Sequence, residues 1–255
     1  MPQNSYMFSL IIAVSFFVIM ILMNVLANTL PLGGISTGAV SNKYHNLFQP
    51  TGATFSIWGV IYLLLGIFLV SQILTLGSES TLDRTLLIKL NYLFSLTSIF
   101  NVLWLFAWHY DTISLSVILM IVLLVLLAMI ALIVKDTKIL SQAAFGIYFG
   151  WITVATIANI TIWLVKLGVP HQTNFSIILT SIILMIGVLI CAFVLYKTHN
   201  VFYGIVILWA YAGILIKHVS ENEFNRSYPL IYSTTIISMV FLLGQIITLF
   251  LYLKK

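Results

Sequence analysis

The stretch FQPTGATFSIWGVIYLLLGIF, Phe48 to Phe68, decides the fold. After Pro50 the chain runs from Ala53 to Leu74 without a charge, about 22 residues. At 1.5 Å of rise per residue that length crosses a hydrocarbon core about 30 Å thick. Trp58, Tyr62 and Gly66 recur at i, i+4, i+8 and therefore share one face of the helix. The segment reads as a transmembrane helix with an aromatic stripe, entered through a proline.

Working outward, seven similar apolar runs appear: Met7 to Asn28, Ile88 to Trp108, Ser114 to Val134, Ala143 to Val165, Phe175 to Tyr196, Val201 to Lys217 and Leu230 to Leu253. The expected fold is all-α, a polytopic membrane bundle. The composition agrees, with 62% apolar and 7% charged residues against the quarter or so of charged residues in soluble domains. Such a chain presents no broad basic surface for nucleic acid. Its net charge of +5 comes from scattered Lys and Arg, which bear on orientation. Cys191 is the single cysteine, which leaves no internal disulfide and no Cys-rich metal site. The first run lacks a basic leader and a small-x-small cleavage site, so it is expected to be retained as a span.

Arg84, Lys89, Lys135, Lys138, Lys197, Lys254 and Lys255 fall on the side of the termini, and Lys43, Lys166, Lys217 and Arg226 on the other. This bias places both termini inside, and a multi-pass protein of the cell (plasma) membrane is expected. One connection is long, Thr29 to Gly52, with Pro31, Gly33, Gly34, Gly38, Asn46 and Pro50. It is expected to be a flexible cap, because no phosphate-loop lysine pattern accompanies its glycines.

The absent chemistry narrows the function. Glu79, Asp83, Asp111, Asp136, Glu221 and Glu223 all fall in connections or at span ends, and so do His45, His109, His171, His199 and His218. Ion-coupled transporters usually keep an ionisable group inside the bundle. No HExxH, paired-histidine or GxSxG pattern is present, so no catalytic residue, metal site or cofactor is expected. Lys217, at the end of the seventh span, is expected to snorkel toward the headgroups.

Two further spans carry stripes. Asn101, Trp104 and Trp108 lie at i, i+3, i+7 of the third, and Trp151, Ala155 and Asn159 at i, i+4, i+8 of the fifth, with Tyr148 beside them. Asn101 and Asn159 lie roughly 10 Å below their helix ends. Asn24 of the first span approaches the same level. An amide in hydrocarbon costs several kcal/mol unless it is hydrogen-bonded. These groups therefore either satisfy one another as a plug or line a pocket under the long loop. Gly146 and Gly150 form a GxxxG pair on the side opposite the Trp151/Asn159 stripe, where a helix is expected to pack.

At these residues the sequence resembles the translocator protein / tryptophan-rich sensory protein family (TspO/MBR). Its second helix follows a proline with W-x-x-x-Y-x-x-x-G, as at Pro50, Trp58, Tyr62 and Gly66. Its third carries N-x-x-W and aromatics, as in FNVLWLFAW from Phe100 to Trp108. Its fifth carries Y-x-x-W-x-x-x-A-x-x-x-N, as in YFGWITVATIAN from Tyr148 to Asn159. The resemblance covers residues 7–166 and implies a five-helix core (1–166) followed by a three-helix transmembrane segment (167–255). It also implies a pocket capped by the first loop for tetrapyrrole-like or sterol-like apolar ligands, and a homodimer. The loop here has no Trp, and WLVK at Trp163 to Lys166 lacks the central Tyr of the family's cholesterol pattern.

The expected function is thus a non-enzymatic ligand-binding membrane protein that senses or moves a planar apolar molecule, such as a porphyrin. Its expected site residues are Trp58, Tyr62, Asn101, Trp104, Trp108, Tyr148, Trp151, Ala155 and Asn159, and its partners are the lipid bilayer and that ligand. A secondary transporter of a small metabolite is the alternative, though its usual internal repeats are not visible. The three C-terminal spans, which lack an amide–aromatic stripe, are expected to form an outer packing layer.

Overall fold

The computed structural model describes residues 2–30, 34, 37–75 and 81–253. Pro31, Gly33, Glu79, Lys254 and Lys255 lie outside the described residues, as does the side chain of Asp83. The elements are α1 (Pro2–Thr29), the short α2 (Thr37–Lys43), a 3-10 turn (Gly52–Ser56), α3 (Ile57–Leu74), α4 (Thr81–His109), α5 (Ile113–Ile133), α6 (Ile139–Lys166), α7 (Asn174–Thr198), α8 (Val201–Val219) and α9 (Pro229–Leu253). Eight of the described helices are long and apolar enough to cross a membrane, and they coincide with the eight apolar runs. The protein is an integral, multi-pass membrane protein.

Several helices extend beyond their apolar runs, whereas α3 starts at Ile57, four residues after Ala53, because a 3-10 turn precedes it. α4 begins at Thr81, before Ile88, and α6 at Ile139, before Ala143. Hydropathy marks only the part in hydrocarbon, whereas backbone hydrogen bonding carries each helix on into polar residues. Local signals set other ends. Thr173 and Ser176 form a capping box that starts α7, and His199, at φ 51°, turns the chain out of it. Asn200 then caps α8 by accepting the Phe202 N–H at 3.1 Å.

α1, α3, α6, α5 and α4 close into a ring, each packing on the next, with α4 returning to α1. α8 lies against the outside of α6, and α7 and α9 pack together and against α8. The GxxxG face of α6 makes the α6–α8 seam. A Cβ on Gly150 would stand 2.8 Å from the Tyr203 carbonyl oxygen, and one on Gly146 would meet the Asn200 amide. Opposite them, Trp151 and Asn159 face into the ring, buried.

The long loop is not the flexible cap expected from its glycines. It contains α2, and Val40, Leu47 and Phe48 are buried beneath it. Gln49 braces it from within, donating to Ser41 Oγ and Asn42 Oδ1 at 2.8 Å each. Isolated apolar side chains such as these carry no periodic signal, so only their packing reveals them.

With eight spans the two termini share a side. Reporter fusions after Lys138 and at the C-terminus are both expected to score as internal. An external C-terminus with an internal Lys138 would contradict the lysine and arginine bias.

Candidate functional site

The amides of the ring have definite partners. Asn24 Nδ2 donates to Asn101 Oδ1 at 2.9 Å, and Asn101 Nδ2 donates to the Tyr148 hydroxyl at 3.3 Å, linking α1, α4 and α6. Asn101 and Tyr148 are fully buried. Here the plug geometry holds. In the neighbouring layer the Trp104 indole N–H donates to Asn159 Oδ1 at 3.2 Å, and the same oxygen accepts the Ser116 hydroxyl. Asn159 Nδ2 turns back to the Ala155 carbonyl at 2.9 Å. Each such bond satisfies a group that hydrocarbon would otherwise leave unpaired.

Above these amides the aromatic rings assemble around Trp58. Its ring stacks on Tyr62 at 5.5 Å and on Trp104 at 6.4 Å, and meets Tyr148 and Trp151 edge-on at 6.0 and 6.3 Å. Trp108 continues the stack from Trp104 at 5.8 Å. The offset and edge geometries suit aromatic quadrupoles.

Two cavities open on this cluster beneath the loop. The larger, about 830 Å³, is lined by Asn24, Gln49, Phe55, Trp58, Tyr62 and Trp104, and by the charged Lys217 and Glu223. The smaller, about 50 Å³, lies between Trp58, Trp104, Trp108, Trp151, Ala155 and Asn159. Gln49, Pro50, Phe55, Trp58 and Trp104 border both, so these side chains form the partition between them. The Trp151 indole N–H, buried on the wall of the smaller cavity, has no hydrogen-bond partner among the described residues. An orphaned donor beside a void is a group that a ligand or water would satisfy.

Of the residues singled out from sequence, Trp58, Tyr62, Trp104, Trp108, Trp151, Ala155 and Asn159 come together on cavity walls. Asn101 and Tyr148 stand behind those walls, one bonded to the other. Spacing alone could not separate the two groups, because a helix face is shared by residues at different distances from the ring's centre.

Residues that spacing did not mark hold the cap in place, and they come from α8. Its Trp209 indole N–H donates to the Thr54 carbonyl at 3.1 Å, its Gly213 carbonyl accepts the Thr51 N–H at 3.2 Å, and its His218 Nε2 bonds the Leu47 carbonyl at 2.8 Å. A Cβ on Gly213 would collide with the Thr54 side chain. From sequence all three C-terminal helices fall in an outer layer. α8 instead anchors the loop and supplies Lys217 to the larger cavity. The available signal was Trp209, Gly213 and Lys217 at i, i+4, i+8, a stripe without an amide.

The far corner of the cap is fixed by charge. Asp111, at φ 58° in the α4–α5 turn, accepts from Lys43 Nζ at 2.6 Å and the Tyr44 hydroxyl at 2.7 Å, with Lys166 Nζ at 3.2 Å. Partial burial pushes its carboxyl pKa up, and the hydrogen bonds from Lys43, Tyr44 and Lys166 outweigh this and hold it at about 2. A depressed carboxylate stabilises above its ordinary pKa and loses that contribution as the pH falls. Asp111→Asn keeps a residue that tolerates the left-handed backbone and removes only the charge. The variant is expected to melt slightly below the parent at pH 5, with the difference shrinking as the pH falls through about 2. A gap as large at pH 2 as at pH 5 would show that the ion pairs do not hold this corner.

Comparison with curated proteins and with solved structures returns no match. The family model described as TSPO-like protein matches residues 10–248. The match continues past residue 166, where the resemblance read from sequence ends, and includes α7, α8 and most of α9. On that match, and on the helical bundle that accompanies it, the chain belongs to the TSPO-like protein family.

Proposed function

We propose that the protein binds a planar apolar small molecule, tetrapyrrole-like or sterol-like, in the cavity under its first loop, and that it senses or moves this molecule without transforming it. The observation that carries the reading is the Trp58 stack, which forms a flat aromatic wall on a cavity of about 830 Å³. That volume falls within the range of about 300–1,000 Å³ usual for ligand pockets. The orphaned Trp151 N–H supports it from the adjoining void.

The non-enzymatic part of the reading rests on the lining itself. Among the described side chains that border the two cavities only Lys217 and Glu223 carry charge, and they lie together, 3.9 Å apart. General acid–base chemistry requires a titratable group within hydrogen-bond reach of the reacting atoms.

A second polar cluster lies at the opposite end of the ring. Gln72 of α3 and Asn91 of α4 exchange two hydrogen bonds, 3.0 and 3.1 Å, and Asn91 reaches Ser9 of α1 at 3.3 Å. This buried amide pair ties α1, α3 and α4 together away from the loop.

The experiment is a titration of detergent-purified protein, following tryptophan emission, with protoporphyrin IX, a sterol and a vehicle blank. Saturable quenching by one ligand class supports the reading. Quenching by neither, or a linear response to both, overturns it.

A further inference from the structure

Lys217 is expected from sequence to snorkel to the membrane surface, and it does not. It is 7% exposed, held beneath the turn that follows α8, where Phe224 N–H bonds its carbonyl at 3.2 Å and the Phe224 ring stands 5.7 Å from its ammonium. Its one ionic neighbour, Glu223, is 3.9 Å away, and the ammonium makes no hydrogen bond among the described residues. Glu223 itself is 43% exposed and solvated. Only 9% of the Lys217 side chain is exposed, and an ammonium so nearly desolvated is costly unless something completes its shell. The space it faces is the cavity with the aromatic wall.

The cavity is therefore divided chemically. Trp58, Tyr62, Phe55 and Trp104 offer apolar, flat surface, and Lys217 offers a cationic donor without a hydrogen bond among the described residues. The carboxamide of Gln49 on the same wall is already committed to Ser41 and Asn42. We infer that the ligand is an anionic amphiphile, a planar apolar body bearing a carboxylate, and that Lys217 of α8 binds the carboxylate while Trp58 and its neighbours hold the body. This rests on the ligand-site reading above and goes beyond it by naming the ligand's charge and the residue that reads it. Glu223 is the intramolecular competitor, a carboxylate too distant to hydrogen-bond and readily displaced into solvent.

The test compares full-length protein binding to protoporphyrin IX, a dicarboxylate, and to its dimethyl ester, which has the same ring without the charge. A charge-assisted hydrogen bond in a shielded site is expected to favour the acid by about tenfold. Lys217→Met keeps the apolar stem, and it should weaken the acid by about tenfold while leaving the ester within about twofold. Lys217→Arg should retain the preference for the acid. Glu223→Gln should strengthen the acid several-fold and leave the ester unchanged, a result available even if Lys217→Met fails to fold. Equal wild-type affinity for acid and ester overturns the assignment of Lys217 while leaving the pocket intact. Parallel loss of both ligands in Lys217→Met, or no gain in Glu223→Gln, overturns it too. Binding of neither probe by the parent overturns the ligand-site reading and this inference with it.

Discussion

Gly150→Leu is expected to cost about 3 kcal/mol or more, since forcing atoms into a packed seam typically costs 1–3 kcal/mol and here the obstacle is backbone. The first carbon added at this position already lies 2.8 Å from the Tyr203 carbonyl oxygen and 3.1 Å from Val206 Cβ, so α8 must move away from α6. Because α8 carries the loop anchors at Trp209, Gly213 and His218, the cap should loosen with it and ligand affinity should fall as well. Gly146→Ala should be milder, about 1 kcal/mol, because the atoms it meets belong to the movable Asn200 amide, and part of the loss is that residue's cap on α8. Gly66→Ala should be neutral or slightly stabilising, for its Cβ would meet the Phe17 ring at an ordinary 3.6 Å and alanine is the better helix former. Thermal unfolding in detergent ranks the three. If Gly150→Leu melts with Gly66→Ala, α8 is not seated on α6 as described.

Asn159→Leu is expected to lower stability by about 2–6 kcal/mol, because it removes the shared acceptor of two buried donors and each costs roughly 1–3 kcal/mol. The Trp104 indole N–H and the Ser116 hydroxyl share Asn159 Oδ1 as their acceptor. The loss is a property of the trio, which a double-mutant cycle can show. Ser116→Ala should cost about 1 kcal/mol in the parent and little or nothing in the Asn159→Leu background, since the hydroxyl it removes is then already unpaired. Additive losses would mean that the two side chains do not share a bond. Asn159 is thus both a wall of the smaller cavity and a structural acceptor, and its substitution should move stability and binding together.

The stripes of α3, α4 and α6 were legible because side chains spaced by three or four residues share a helix face whatever the helix packs against. That rule brought Trp58, Tyr62, Trp104, Trp151 and Asn159 to one place. It could not tell Asn101 from Asn159, because the depth of each amide behind a cavity wall depends on how the ring of helices closes, a tertiary fact. The GxxxG face of α6 was readable as a packing surface, but its partner α8 was not, because small residues specify close approach and leave the identity of the neighbour open. The loop was the least legible element. Leu47 and Phe48 follow no period, and the bonds that tie Leu47 and Thr54 run to α8, more than 150 residues away. Lys217 looked like a lysine at a helix end. Only the turn folded over it shows that its charge is kept inside.

The central claim is a ligand site on the Trp58 wall, and the most direct measurement is the binding affinity of Trp58→Leu beside that of Trp163→Leu. Trp58 is partly exposed and borders both cavities, whereas Trp163 lies at the end of α6, away from the lining of either. Stacking on an indole contributes about 0.5–1.5 kcal/mol beyond the apolar area it covers, and together these correspond to a loss of about tenfold or more. For the ligand class that quenches the parent protein, Trp58→Leu is predicted to weaken binding by about that factor, with Trp163→Leu unchanged and both variants folded. Equal affinities in the parent and in Trp58→Leu, or equal losses in the two variants, would contradict the account and leave the aromatic cluster as packing alone.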